Sequence, residues 1–304
     1  MAGVITTGLH PKALWPGVLT WFGIGYGEHP DEYRDLYQVI EKPKRQYVED
    51  VMTGGFPMLP VKPQGAPVSY MTHAQIYTTR YTFVNYAGGF MVTEEEIDFN
   101  LYEELANSRA QFLGNSKRQT VETVAANVYN RAFNTSYLGG DGQVLVASTH
   151  PSAVGDWSNI LAPAADISEA ALEDLVTQIM QAEDHVGNKI RQMAESLHVP
   201  PALWFEANRI LKSTLQNDTA NNAANVLRIT GEFPKGIKVN HYLTDPDAYF
   251  VRTNCPDGMK FFNSKDTGLQ TDNDFDTANA KTKTSKRFVC AWSNPLGLYG
   301  SPGA

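Results

Sequence analysis

Cysteine is nearly missing: Cys255 and Cys290 are the only two in 304 residues. A single pair makes no disulfide framework, and neither residue stands at a metal-ligand or catalytic spacing. Both read as buried or half-buried free thiols of a reducing compartment. Positive charge is also scarce. Lys and Arg total 25 against 33 Asp and Glu, for a formal charge of −8, which argues against nucleic-acid binding by counterion release. Long apolar runs are missing too. The N-terminus has no basic stretch, and Pro11, Pro16, Gly17 and Gly23 interrupt its apolar residues, so neither a signal peptide nor a membrane span is expected. There is no internal repeat, heptad run or linker.

Chemical motifs are reached only in part. Asp272-Asn273-Asp274-Phe275-Asp276 alternates like a calcium loop, but Thr277 stands where the sharp-turn glycine belongs and Lys283 where the bidentate glutamate belongs. A solvated acidic turn is the expectation. Gly231-Glu232-Phe233-Pro234-Lys235-Gly236 starts like a phosphate loop, yet Ile237 replaces the lysine and Pro234 removes a backbone donor. Gly23-Ile24-Gly25-Tyr26-Gly27 lacks the third glycine of a dinucleotide site. The seven histidines (His10, His29, His73, His150, His185, His198, His241) show no zinc spacing. His150, at the start of a loop, reads as a hydrogen-bonded structural residue. No nucleophile elbow exists, and Glu94/Glu95 and Glu103/Glu104 read as helix-surface charges. The glycosylation patterns Asn134-Thr135-Ser136 and Asn217-Asp218-Thr219 are discounted, since nothing points to secretion. The expectation is no catalytic residue, no cofactor and no metal.

What is present is a globular composition, 42% hydrophobic and 19% charged, long enough to bury a substantial core. Its main feature runs from Tyr70 to Phe133. Residues Gln75 to Tyr86 are rich in β-branched and aromatic types and read as a ribbon. Gly88-Gly89 is expected to break that strand. Thr93-Glu94-Glu95-Glu96 then forms a capping box. A proline-free helix follows to about Asn134, near forty residues and roughly 60 Å long. Gly114-Asn115-Ser116 is its weak point, and one bent rod is expected.

Around this run, residues 1 to 28 read as an irregular arm with apolar patches Leu14-Trp15, Val18-Leu19 and Trp21-Phe22. The arm packs either on its own domain or on another subunit. Pro30 to Ile40 reads as a short helix. Gly54 to Pro67, with Pro57, Pro60, Pro63 and Pro67, reads as an exposed extended loop or edge hairpin. Further on, Asp166 or Ser168 caps a helix carrying Leu172, Leu175, Val176, Ile179 and Met180, which stops near Gly187. A strand at Ala202–Phe205 leads to a helix from Glu206 to Leu215, and 217–225 is a polar loop. Strands are expected at 226–230, 237–243, 249–253, 259–263 and 283–293. The fold class is α+β.

The order of these pieces resembles the major capsid proteins of tailed bacteriophages, the Hong Kong ninety-seven fold, and especially the Mu-like head-subunit branch. The residues that carry this are Tyr81-Thr82-Phe83-Val84-Asn85-Tyr86, Phe90-Met91-Val92-Thr93-Glu94-Glu95-Glu96-Ile97 and Asn127-Val128-Tyr129-Asn130-Arg131-Ala132-Phe133. Gly140-Asp141-Gly142, Ser148-Thr149-His150-Pro151, Val199-Pro200-Pro201-Ala202-Leu203 and Ala207-Asn208-Arg209-Ile210-Leu211-Lys212-Ser213 follow in the same order. The resemblance covers most of the chain from about residue 30. It implies an N-terminal arm (1–50), an extended β-hairpin loop with the strand into the spine (51–92), and a peripheral domain with the spine helix (93–159). An axial domain (160–285) and a C-terminal strand returning to the peripheral domain (286–304) complete it.

The function implied is structural: pentamers and hexamers of one chain closing an icosahedral shell around double-stranded DNA. An acidic surface suits a wall around DNA better than a clamp on it. Partners would be other copies, a portal protein, decoration or scaffolding proteins and packaged DNA touched non-specifically, with no membrane; the place is the virion, assembled in the host cytoplasm. No long charged helical segment precedes the arm, so no scaffold cleavage is expected. Lys62 alone does not establish cross-linking. Gly54, Gly55, Gly65, Gly88 and Gly89 are expected as hinges, Pro57 and Pro60 as stiffeners of the loop, and Trp15 and Trp21 as interface residues. The alternatives are an encapsulin-like cargo compartment, which shares the fold, and an α/β enzyme in residues 160–290.

Overall fold

In a computed structural model, the protein is described over residues 11–41, 45–73, 75–93, 95, 102–215, 224–273 and 279–304. The long helix α3 (Tyr102–Asn130) is continuous through Gly114-Asn115-Ser116. The capping box lies mostly outside the described residues. On one side α3 lays Val121, Ala125 and Tyr129 against Phe261 and Phe288 of the strands below, all nearly inaccessible to solvent. These positions repeat at four-residue steps, so one stripe of the helix faces the sheet.

The strands form three sheets. The first has the order β1–β8–β9–β4, where β1 is Gln38–Glu41, β4 Val84–Val92, β8 Met259–Asn273 and β9 Ala280–Trp292. Only β1 and β8 run parallel in it; β9 is antiparallel to both neighbours. Along β9 the even positions from Ala280 to Cys290 are buried and the odd ones are more open. That period-2 pattern turns one face to α3. The second sheet is β10–β7–β5–β6, built from Ala194–Val199 (β5), Ile237–Val239 (β6), Tyr249–Thr253 (β7) and Leu298–Ser301 (β10). Helix α4 (Glu169–Met180) covers it with Leu172, Leu175 and Ile179, and α5 (Trp204–Lys212) adds Ala207 and Ile210. Strand β7 joins the two cores. Its Tyr249 and Val251 face α4, while Phe250 faces α3 and meets Tyr129 edge-on at 5.3 Å. The third sheet is a two-stranded ribbon, β2 (Tyr47–Thr53) with β3 (Gln75–Thr82).

Several sequence expectations change. The irregular arm contains a helix, α1 (Pro11–Gly27). Pro11 opens it, where a missing N–H costs nothing, and Gly25 serves its packing. A Cβ on Gly114 would lie 2.6 Å from the Phe22 carbonyl oxygen and 2.9 Å from the Tyr26 nitrogen, and one on Gly25 would collide with the Gln111 backbone. The two helix backbones therefore touch, and only glycine allows it. Phe22 is buried in this contact with Ala110. The helix foreseen over 30–40 shrinks to α2 (Tyr33–Leu36), because Gln38–Glu41 pairs with β8 instead.

The ribbon is two strands in different sheets, parted at Phe83, and Gly88-Gly89 does not break β4. At Gly89 a side chain would strike the Thr282 carbonyl, so the glycine is there to let two strands meet. Residues 226–230 form a helix, α6, instead of a strand: Asn225 caps it by accepting from the Arg228 N–H, and Gly231 ends it at φ 65°. Pro201 starts a 3-10 turn where a strand is expected at 202–205, and the strand lies earlier, at β5. Ser168, not Asp166, caps α4, which stops at Met180 well before Gly187. Strands β8 and β9 pair with β1 and β4, while β10 pairs with β7.

A buried carboxylate joins α3 to α2. Glu122 has no exposed surface and accepts from the N–H groups of Glu32 (3.0 Å) and Tyr33 (2.9 Å). It thereby fills donors left open at the start of α2. Burial pushes its carboxyl up to about 7, and the charges of Glu32 and Asp31 push the same way, against the two hydrogen bonds. Because the folded value lies above the unfolded one, this group's contribution is full below about pH 4.3. It is lost as pH rises through 7. Wild-type stability is therefore expected to fall from pH 5 to pH 8 by about 1–3 kcal/mol more than that of Glu122→Gln, as read by urea unfolding. Gly114→Val is expected to lower stability by about 1–3 kcal/mol through overpacking, and to open α1 to limited proteolysis first.

Candidate functional site: an exposed apolar ribbon

Strands β2 and β3 run antiparallel from Tyr47↔Thr82 to Thr53↔Gln75, and residues 54–73 follow β2 as a loop. Among the described residues neither outer edge of this ribbon is paired within a sheet. In the loop Met58, Leu59, Val61 and Tyr70 keep 84%, 85%, 93% and 96% of their surface exposed. Phe56 and Val68 are also more than half exposed. A lone exposed apolar residue is ordinary, but six on one loop form a feature that a monomer would not keep without use. Pro57, Pro60, Pro63 and Pro67 fix φ along the loop and remove donors, so it is stiff and cannot fold back as a regular sheet. At its tip Gly65 adopts φ 82°, one residue before Ala66 donates to the Pro63 carbonyl. The left-handed conformation there calls for glycine.

The base of the ribbon is pinned. Lys260 Nζ, on β8, contacts Asp50 (2.6 Å) and Asp257 (2.8 Å), and the Ser293 hydroxyl donates to Asp50 at 2.8 Å. Tyr81 OH bonds the same Ser293 hydroxyl, and Tyr77 OH donates to the Ser293 carbonyl at 3.1 Å. Tyr81 also stands edge-on to Phe262 at 4.9 Å. One foot of the loop is tied as well: Asn188 Nδ2 donates to the Phe56 carbonyl at 2.9 Å. Among the expected hinges, Gly55 packs on the Asp184 and Val186 side chains, while Gly54 lies at the end of β2. Gly88 and Gly89 lie inside β4. Trp15 and Trp21 are on α1, where Trp21, Leu19 and Ile24 are more than a third exposed and Phe22 faces α3. The structure does not gather these residues at one point; the exposed apolar groups fall on the loop and on the outer face of α1.

A second tie holds the segment after α3. Asn159 Nδ2 donates to the carbonyls of Leu145 (2.8 Å), Leu298 (2.9 Å) and Pro295 (3.2 Å), so its Oδ1 is the acceptor for the Ala147 N–H and for His150 Nε2. His150 Nδ1 meets Asp141 at 2.6 Å, and the ring stacks on Trp157. These bonds are internal, and His150 is buried. The structural reading of His150 stands. Its partners Asp141 and Asn159 escape a sequence reading, because they lie nine residues to either side and carry no local motif.

The grooves carry little chemistry. One of them, about 440 Å³, lies between α3 and the β4–β9 edge and is lined by Val84, Tyr86, Val124, Val128, Phe288 and Trp292 among others. Among the described residues no group of three or more His, Cys, Asp or Glu could hold a metal. His198 is buried and pushed down to about 3, so it is neutral at pH 7. Burial raises the Cys255 thiol to about 11 and Cys290 to about 12, so neither is a thiolate nucleophile. No described helix is long and apolar enough to cross a membrane.

Because Lys260 is buried against Asp50, removing that carboxylate leaves a cation and a serine hydroxyl short of a partner. Asp50→Ala is expected to cost about 1–3 kcal/mol in urea unfolding and to speed protease cleavage within residues 54–74.

Comparison with known proteins agrees with this picture. No curated protein sequence matches the chain. Among solved structures, a virus-like particle from Pyrococcus furiosus is 14% identical with a TM-score of 0.53, covering 94% of this chain and 98% of that one. A structure from Mycobacterium phage Adephagia is 10% identical with a TM-score of 0.53, covering 91% of each chain. The capsid of an empty GTA particle is 13% identical with a TM-score of 0.52, covering all of this chain and 93% of that one. At such identities the likeness is one of fold. The sequence profile of phage capsid proteins matches residues 76–301, from the second strand of the ribbon through β10. With well over half of its length inside that match, the chain belongs to the phage capsid protein family.

Proposed function

We propose that this protein is the major head subunit of a tailed phage, which closes into an icosahedral shell of pentamers and hexamers around double-stranded DNA. The observation that carries the reading is the pinned ribbon whose loop leaves Met58, Leu59, Val61 and Tyr70 in solvent. Within one chain that surface has no cover. In a closed symmetric assembly every copy receives the loop of another, and contacts that are weak singly become strong through closure. Stiffness from four prolines lowers the entropy lost on docking.

In this reading α1 and the segment to residue 50 form the arm, the ribbon and its loop reach over a neighbour, and α3 is the spine. The peripheral part then comprises β1, β4, α3 and the β8–β9 hairpin, and the axial part comprises α4, α5, α6 and the sheet β10–β7–β5–β6. Gly54 and Gly65 would let the loop adjust between five- and six-membered rings. The virion is the place of action, with assembly in the host cytoplasm. A portal protein is the further partner of this role, with room for a scaffolding or decoration protein.

Electron microscopy of the purified protein tests the reading. Wild-type chain is expected to give uniform closed shells, and a monodisperse monomer under all conditions overturns the reading. Met58→Asp with Leu59→Asp is expected to keep the fold by circular dichroism and abolish shells, because two charges would enter an apolar contact.

A further inference from the structure

The chain carries opposite charges on separate faces, and each face sets like charges close together. On the sheet face away from α3, Lys265 of β8 stands directly opposite Arg287 of β9, and Lys283 lies on the same open side of β9, four positions before Arg287. Lys283 is paired in register with Gly89 and Gln270, so no side chain from β4 covers it. Lys265, Lys283 and Arg287 make no ion pair among the described residues. Like charges directly opposite on neighbouring strands repel. Asp272, opposite Lys281 further out, is the carboxylate in that register.

On α4, which covers the other sheet, the sign is reversed. From Pro151 to Asn188 the sequence has seven carboxylates and no lysine or arginine. Within it α4 carries Glu169 and Glu173 four residues apart, with Asp174 exposed beside them. None of the three has an ion-pair partner among the described residues, and Glu169 Oε1 is buried without a hydrogen bond. A like-charge pair at this spacing works against the helix that bears it.

Resting on the shell reading above, we infer that the basic face of β8–β9 docks on the acidic face of α4 in a second copy of this chain. Each copy holds one of each face on different elements, so the contact is heterologous: the donor face of one copy meets the acceptor face of the next. Such contacts generate closed rings when the rotation closes. Polarity along the ring follows from the charges, which also speed and orient encounter. In a protein of net charge −8, the carboxylate surface that suits these cations is supplied by the chain itself.

A charge-swap experiment tests this on the full chain. Lys283→Glu with Arg287→Glu, and separately Glu173→Lys with Asp174→Lys, are each expected to lower shell yield about tenfold or more at low salt, since like charges would then face each other. The four changes together are expected to restore most of the yield. All sites are at the surface, and thermal melts of each variant check that the fold is kept. Should a reversal variant fail to fold, Lys283→Gln with Arg287→Gln and Glu173→Gln with Asp174→Asn replace it, and each pair is expected to lower the yield. Yields equal to wild type in either reversal variant, or no recovery in the combined one, overturn the inference. So does a basic-face variant that assembles normally and only loses retained DNA, because the face would then serve nucleic acid. If wild type forms no shells under any condition, the shell reading fails, which is a separate result.

Discussion

Helix α3 has neighbours on several sides, and how close each one comes decides which residue sits there. Where α1 touches it backbone to backbone, the contact needs Gly114. Where α2 starts against it, Glu122 supplies the acceptors for two N–H groups. Where β8 and β9 pass beneath, Val121, Ala125 and Tyr129 fill the gap. Tyr129 also donates to the Leu36 carbonyl at 2.9 Å and meets Phe250 of β7, so one side chain touches both the end of α2 and the strand that the two cores share. Helix α3 thus meets α1, α2, the β8–β9 strands and β7 along a single continuous length.

The ribbon stays exposed because its base is fixed elsewhere. Charge and hydrogen bonds tie it to Lys260 and Ser293, and buried Tyr81 packs on Phe262. The loop then projects apolar side chains away from both cores. Rigidity at the base and exposure at the tip are the two properties a docking element requires, because a loose base would waste binding energy on ordering the loop.

Much of this architecture is legible in the amino-acid sequence. Strand β7 lies at the expected residues, and α4, the exposed Pro-rich loop and the continuous spine follow from local patterns of burial and turn chemistry. The losses have physical causes. Helix α1 is hidden because its glycines look like breakers, and the use of Gly25 appears only when the Gln111 backbone stands against it. The β-branched residues Val226, Ile229 and Thr230 make α6 read as a strand, although Asn225 before it and Gly231 after it are cap signals. Strand β5 escapes because Glu195 and His198 interrupt its apolar run, and His198 is nonetheless fully buried. The ties at Glu122, Asp50 and Asn159 join residues far apart in sequence, where no spacing rule applies.

Peptide-level hydrogen exchange on dissociated and assembled protein addresses the central claim most directly, since it reads the loop itself. If the ribbon docks on another copy, the amides of Phe56, Met58, Leu59 and Val61 should exchange fast in the dissociated chain and become strongly protected on assembly, while α3 changes little. Equal exchange at these amides in both states would contradict the account, because the exposed surface would then have no partner.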